Sequence, residues 1–227
     1  MEIARRYLAD FVGTFAFVFI GSMVVAVGGE RLGGGAATVV IAAFGHGLIL
    51  MAMIYALGAI SGAHFNPAVT IALAALRKIS LPDAGGYIIF QLLGAVVAVL
   101  FHAAILTEGA SSYGLTVPAP DITDGAAALL EAVLTFFLVT AVLGAAVSGK
   151  APPGFHGLAI GLTFTAAILA GGALTGASLN PARTFGPAIV SGDFTSHWVY
   201  WVGPIAGGLV AAAVAWVLYF RYPSETT

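Results

Sequence analysis

Six stretches of mostly apolar residues, at roughly 8 to 27, 38 to 58, 84 to 106, 126 to 147, 156 to 173 and 198 to 220, constrain this chain more than any other feature. Each has about the length of helix, ~20 residues, that crosses the hydrocarbon core of a bilayer. The 227 residues are 60% hydrophobic and 8% charged, against the ~45–50% apolar content of a soluble domain, so the chain is polytopic and membrane-embedded. A net charge of -2 gives no basic surface for nucleic acid. Without cysteine there is no disulfide and no thiolate chemistry. The 30 glycines fall largely inside the apolar runs, which points to helices packed through small residues. The pairs Gly157/Gly161 and Gly203/Gly207 have the spacing that close crossings use.

Six crossings put both ends of the chain on one side. The first run follows Arg5 and Arg6 but is long and precedes no convincing cleavage site, so it reads as a retained helix. Arg5, Arg6, Arg77, Lys78, Lys150 and Arg221 fall on one side, and Arg31 and Arg183 on the other. The side richer in Lys and Arg is expected to be cytoplasmic. Acidic residues, Glu30, Glu108, Asp121, Asp124 and Asp193, lie in the opposite loops.

Two further apolar pieces, Asn66 to Leu76 and Asn180 to Val190, are only about half a crossing long. Each opens with Asn-Pro, a helix-start pair, since Asn caps and proline lacks the N–H that would have no partner in a first turn. They are expected to be re-entrant half-helices. The segments Ser61 to Thr70 and Thr175 to Thr184 resemble each other at an offset of 114 residues, and Asp10 with Thr14-Phe15 is echoed by Glu131 with Thr135-Phe136. The expected architecture is therefore all-α and polytopic, six transmembrane helices plus two half-helices in an inverted internal repeat. It forms one domain over 1–227, with one copy at about 1–106, a linker at about 107–125 and a second copy at about 126–227. Three spans per copy invert the second copy, so the half-helices enter from opposite faces and meet near the midplane.

Two facing helix N-termini concentrate positive potential, which repels cations. The amides of Asn66 and Asn180 are expected to offer donors to a neutral polar solute. The carbonyls of Gly62, Ala63, His64, Gly176, Ala177 and Ser178 are expected to form a ladder of acceptors along the same path, internally satisfied turns being the alternative.

The two Asn-Pro-Ala boxes, Asn66-Pro67-Ala68 and Asn180-Pro181-Ala182, the second followed by Arg183, resemble those of the aquaporin, or major intrinsic protein, family. The resemblance covers nearly the whole chain. It implies a homotetramer in the lipid bilayer in which each subunit has its own pore for water and small neutral solutes, working passively, without cofactor or metal. It also implies a four-residue constriction at His46, Ile168, Ala177 and Arg183. That set resembles the vacuolar intrinsic proteins of plants, several of which pass urea, ammonia or glycerol as well as water. Ile168 and the small Ala177 would widen the constriction. Thr184, Ala188, Tyr200 and Trp201 resemble instead the pattern of water-type members, so water is the expected primary cargo, and a small-solute facilitator with water secondary is the alternative. Metalloid hydroxides belong to that alternative.

From the resemblance, Glu131 is expected to hold its re-entrant loop, with Asp10 as the weaker counterpart in the first copy. His46 is expected to line the pore and, if it faces Arg183, to confer mild acid sensitivity. The imidazole of His64 is expected to brace its loop, His156 and His197 to lie at interfaces, and His102 has no assigned role. No HExxH, GxSxG or cysteine site supports an enzyme. The small Ala177 and intact Arg183 argue against a purely structural junction protein. Short loops suggest a microbial plasma (inner) membrane, with both termini cytoplasmic.

Overall fold

The computed structural model describes residues 2–31, 33–106 and 113–221. Thr107 to Ser112 of the linker, with Glu108, and the tail beyond Arg221 lie outside the described residues. The elements run α1 (Glu2–Arg31), α2 (Gly35–Ser61), α3 (Pro67–Ala75), α4 (Leu81–Ile105), α5 (Asp124–Val142), α6 (His156–Thr175), α7 (Pro181–Ser191) and α8 (Val199–Ala215). One π-helical turn each extends α5 (Leu143–Val147) and α8 (Trp216–Phe220). Six helices are long and apolar enough to cross a bilayer, and α3 and α7, of 9 and 11 residues, are the two expected half-helices. Most helices run past their apolar stretches: α1 takes in Arg5 and Arg6 and spans 30 residues, about 45 Å at the α-helical rise.

Local chemistry sets where the short helices start. Asn66 and Asn180 are extended N-caps with Pro67 and Pro181 in the first turn, and each side-chain oxygen accepts from the backbone N–H two residues on, at 2.8 and 3.0 Å. The preceding long helices, α2 and α6, stop at Gly62 and Gly176, both left-handed C-caps with φ of 82° and 80°. The two copies thus share stop, loop, cap and short helix.

Glycine removes the side chains that would hold the long helices apart. At the α2–α6 crossing, a Cβ on Gly161 would meet the Gly47 carbonyl oxygen at 2.6 Å, and one on Gly47 would meet the Gly161 carbonyl oxygen at 2.7 Å. These residues are 114 apart, so the crossing sits on the local two-fold relating the copies. Gly203, on α8, rests on the Ala128 carbonyl of α5, and Gly207 on that of Ala132. Gly94 makes the matching approach of α4 to Phe11 on α1. The expected role of the Gly157/Gly161 and Gly203/Gly207 pairs as close contacts holds, with Gly157 seated on the Tyr55 ring. His102 also acquires a role: its buried ring donates from Nε2 to the Phe19 carbonyl, 2.8 Å away, linking α4 to α1.

Each short helix leans mainly on the last helix of the opposite copy, α3 on α8 and α7 on α4. Gly186 of α7 reaches the Ala95 carbonyl of α4, and Gly208 of α8 the Ala68 carbonyl of α3. The inverted copies therefore interlock. Gly161→Ala is expected to destabilise the fold by roughly 1–3 kcal/mol through overpacking against backbone, read as a lowered thermal unfolding midpoint of the detergent-solubilised protein.

Candidate functional site

The two caps meet at the centre of the molecule and bind each other's loops. Asn66 Nδ2 donates to the Leu179 carbonyl at 2.8 Å, and Asn180 Nδ2 donates to the Phe65 carbonyl at 2.9 Å. An amide nitrogen has two hydrogens, so each asparagine keeps one beyond this cross-link. The sequence-level expectation that both amides serve solute is thus corrected in part: the oxygens cap helices and half of the donors hold the loops.

The loops before the caps owe their shape to two buried carboxylates. Asp10 accepts from Ser61 Oγ and from the His64 and Phe65 N–H groups, all at 3.1 Å, and from Gln91 Nε2 at 2.6 Å. Glu131 accepts from Thr175 Oγ1 at 2.8 Å, the Ser178 N–H at 2.9 Å and the Leu179 N–H at 2.8 Å. Among the described residues Asp10 accepts four bonds, Gln91 supplying the fourth, and Glu131 three, but three of the Asp10 bonds, at 3.1 Å, are longer than those to Glu131. Both loops repeat one backbone pattern, with positive φ at Ala63 (50°) and Phe65 (49°), and at Ala177 (43°) and Leu179 (55°). Non-glycine residues hold such angles only where surrounding bonds fix them, and the bonds to the carboxylates do so here.

This pattern orients the carbonyls. A trans peptide sets each N–H opposite the preceding C=O. Ser61 Oγ takes the Ala63 N–H and Asp10 takes those of His64 and Phe65, so the carbonyls of Gly62, Ala63 and His64 point away from the anchor. Thr175 Oγ1 takes the Ala177 N–H and Glu131 takes those of Ser178 and Leu179, which turns out the carbonyls of Gly176, Ala177 and Ser178. Gly62, Ala63 and His64 line a cavity of about 210 Å³ that reaches Asn66 and Asn180. Apolar residues, among them Leu50, Ile54, Val69 and Ile160, line the same cavity, and His156 stands in it too.

A smaller cavity, about 70 Å³, has His46, Ile168, Gly176 and Arg183 in its wall. Ala177 is fully buried and is not among its lining residues. Arg183 is 2% exposed, and its Nη1 donates to the Gly114 carbonyl at 2.8 Å. His46 does not bond Arg183: its Nδ1 lies 2.8 Å from the Ala42 carbonyl and is therefore the donor, while Nε2 is buried with no hydrogen-bond partner among the described residues. The two side chains share the wall of this cavity, but no hydrogen bond joins the ring to the guanidinium among the described residues.

The linker proves to be part of this site. Gly114 supplies the Arg183 acceptor, Leu115 enters the cavity wall, and Thr116 Oγ1 lies 2.7 Å from Thr184 Oγ1. None of these carried a sequence signal. Tyr87 and Tyr200 were separable in principle: their hydroxyls donate to the carbonyls of Ser61 and Thr175, both at 2.7 Å, but they sit one residue off the 114-residue offset. His64 braces its loop as expected, its Nδ1 3.1 Å from Thr70 Oγ1 and its ring stacked on Tyr87. His197 accepts at Nε2 from Trp201 Nε1 at 3.0 Å, within an aromatic group that includes Phe185 and Phe194.

The family profile described as "Major intrinsic protein" matches residues 1–215. The chain belongs to the major intrinsic protein family. Among its curated relatives are Aquaporin TIP4-4 of Zea mays, 43% identical over 92% of this chain and 84% of that protein, and Probable aquaporin AqpM of Archaeoglobus fulgidus, 40% identical over 93% and 96%. The solved aquaglyceroporin of Plasmodium falciparum superposes with a TM-score of 0.77 at 28% identity, covering 93% of this chain and 94% of that one. As a major intrinsic protein, the chain is a multi-pass membrane channel for water or small solutes and not an enzyme.

The carboxylate anchors generate a prediction. Removing either leaves at least two loop N–H groups buried and unpaired, each costing ~1–3 kcal/mol. Asp10→Ala is expected to lose folded protein as severely as Glu131→Ala, measured as monodisperse yield in detergent, with Asp10→Asn intermediate because its amide keeps one acceptor. Wild-type yield for Asp10→Ala would contradict the anchoring.

Proposed function

We propose that this channel conducts water first and excludes ions and protons, with ammonia, urea or small polyols as secondary cargo. The observation that carries this reading is the pairing of outward-turned carbonyls with a cross-linked Asn66/Asn180 pair at the meeting point of two helix N-termini. Water exchanges hydrogen bonds with the loop acceptors and the remaining Asn donors at the centre, while much of the remaining lining is apolar. A cation finds acceptors but meets the positive ends of α3 and α7 and the guanidinium of Arg183. On this reading Asn66, Pro67, Ala68, Asn180, Pro181 and Ala182 form the central station, and His46, Ile168, Ala177 and Arg183 the constriction. The carbonyls of Gly62, Ala63, His64, Gly176, Ala177 and Ser178 form the rungs, and Asp10 and Glu131 hold them.

Ile168 favours a second reading, a facilitator of small neutral solutes, because an aliphatic wall opposite Arg183 leaves part of a permeant's hydration unreplaced and does not reject apolar atoms. We further read the chain as one channel domain of two copies, about 1–106 and 126–227 joined by a linker at about 107–125. It would assemble as a homotetramer in a microbial plasma membrane with its termini cytoplasmic. The sidedness rests on Arg5, Arg6, Arg77, Lys78, Lys150 and Arg221. The assembly would appear as a detergent-corrected mass near four chains of 22.9 kDa.

Osmotic water flux measured beside ammonia, urea and glycerol uptake in one proteoliposome preparation tests the cargo. Water flux well above bare lipid is expected, with Arg183→Val raising urea and glycerol uptake and Ile168→His lowering it. Water flux is expected to stay flat between about pH 5 and 8, the span around the reference histidine pKa, because Nδ1 of His46 is held by the Ala42 carbonyl and Nε2 lies against Gly21. Solute uptake that outpaces water would favour the facilitator.

A further inference from the structure

We infer that Gly21 is a positioning residue for the channel, setting how far the His46 ring intrudes on the smaller cavity; this rests on that cavity being the constriction. On α1, Phe17, Gly21 and Val25 stand four residues apart on one helix face. Phe17 lines the larger cavity and Val25 the smaller, so the stripe follows the path. Gly21, between them, contributes no side chain, and the space is taken by His46 of α2. A Cβ built on Gly21 would collide with Cδ2 and Nε2 of His46. The free nitrogen of the ring is thus closed off against the α1 backbone rather than open to permeant.

The ring has little freedom in other directions. Nδ1 is tied to the Ala42 carbonyl of its own helix, Phe17 meets the ring edge-on at 5.4 Å between centroids, and Phe164 lies parallel at 6.0 Å. The side left open is the cavity that His46 shares with Ile168 and Arg183. Restoring ordinary carbon contact, ~3.5–4.0 Å, after adding a methyl at position 21 therefore moves the imidazole by on the order of an ångström into that space. In a cavity of only about 70 Å³, such a shift narrows the water column. Glycine at this position keeps a large ring in the wall while leaving the path open.

The test compares wild type, Gly21→Ala, His46→Ala and the double variant in proteoliposomes, reading osmotic water flux per reconstituted channel and membrane yield. Gly21→Ala is expected to lower water flux about fivefold or more, and the double variant is expected to return to the flux of His46→Ala. Should Gly21→Ala fail to accumulate, the double variant is expected to recover membrane yield, since the colliding ring is gone. Wild-type flux for Gly21→Ala, or a double variant as impaired as Gly21→Ala in flux or yield, would overturn the proposal. Arg183→Val in the same series separates the two readings: if it leaves urea and glycerol uptake at wild-type levels, the constriction has been misplaced, whatever Gly21→Ala does.

Discussion

Two hydrogen bonds hold the centre of this molecule, Asn66 Nδ2 to the Leu179 carbonyl and Asn180 Nδ2 to the Phe65 carbonyl. Each asparagine caps its own half-helix with its oxygen and holds the opposite loop with its nitrogen. A helix that stops mid-membrane leaves N–H groups without partners, and irregular backbone at that depth is tolerated only inside protein or along a cavity. The reciprocal cap meets both demands in one residue per copy. It also explains why the half-helices pack mainly across the repeat, α3 on α8 and α7 on α4: the cross-link draws each loop toward the other copy.

The loops show how the fold keeps hydrogen-bond acceptors open in an apolar medium. Asp10 and Glu131 collect the N–H groups of residues 64, 65, 178 and 179 on one side, so the carbonyls turn to the other. The cost is backbone held at positive φ at four non-glycine residues, of the order of 1–3 kcal/mol each. The bonds to the carboxylates offset it, as charge-assisted hydrogen bonds are the stronger kind. The copies differ in how they brace the carboxylate. The first uses Gln91, which also reaches Thr70 Oγ1 at 2.9 Å, whereas the second links Ser178 and Thr184 through hydroxyls 2.6 Å apart.

Much of this was legible from residue pattern, because bilayer thickness and helix-start chemistry leave few options. Run length marked the six spans, Asn-Pro marked both caps, and the 114-residue offset related the loops. The site was less legible where contacts are long-range and chemically plain. Gln91 on α4, Gly114 and Leu115 in the linker, and Tyr87 belong to no local motif, and Tyr200 stands out only as part of the water-type pattern. Their roles arise only when distant segments pack. His46 shows the opposite limit: its place in the wall was foreseen, but the direction of its nitrogens depends on Gly21 lacking a side chain, a neighbour 25 positions away.

We propose that the path through the cross-linked asparagines carries water without carrying charge. Osmotic water flux and proton conductance recorded on the same reconstituted vesicles, with and without an imposed membrane potential, test it most directly. Water flux far above bare lipid is expected, with proton and cation leak at the lipid background. A current that rises with channel density alongside the water flux would contradict it.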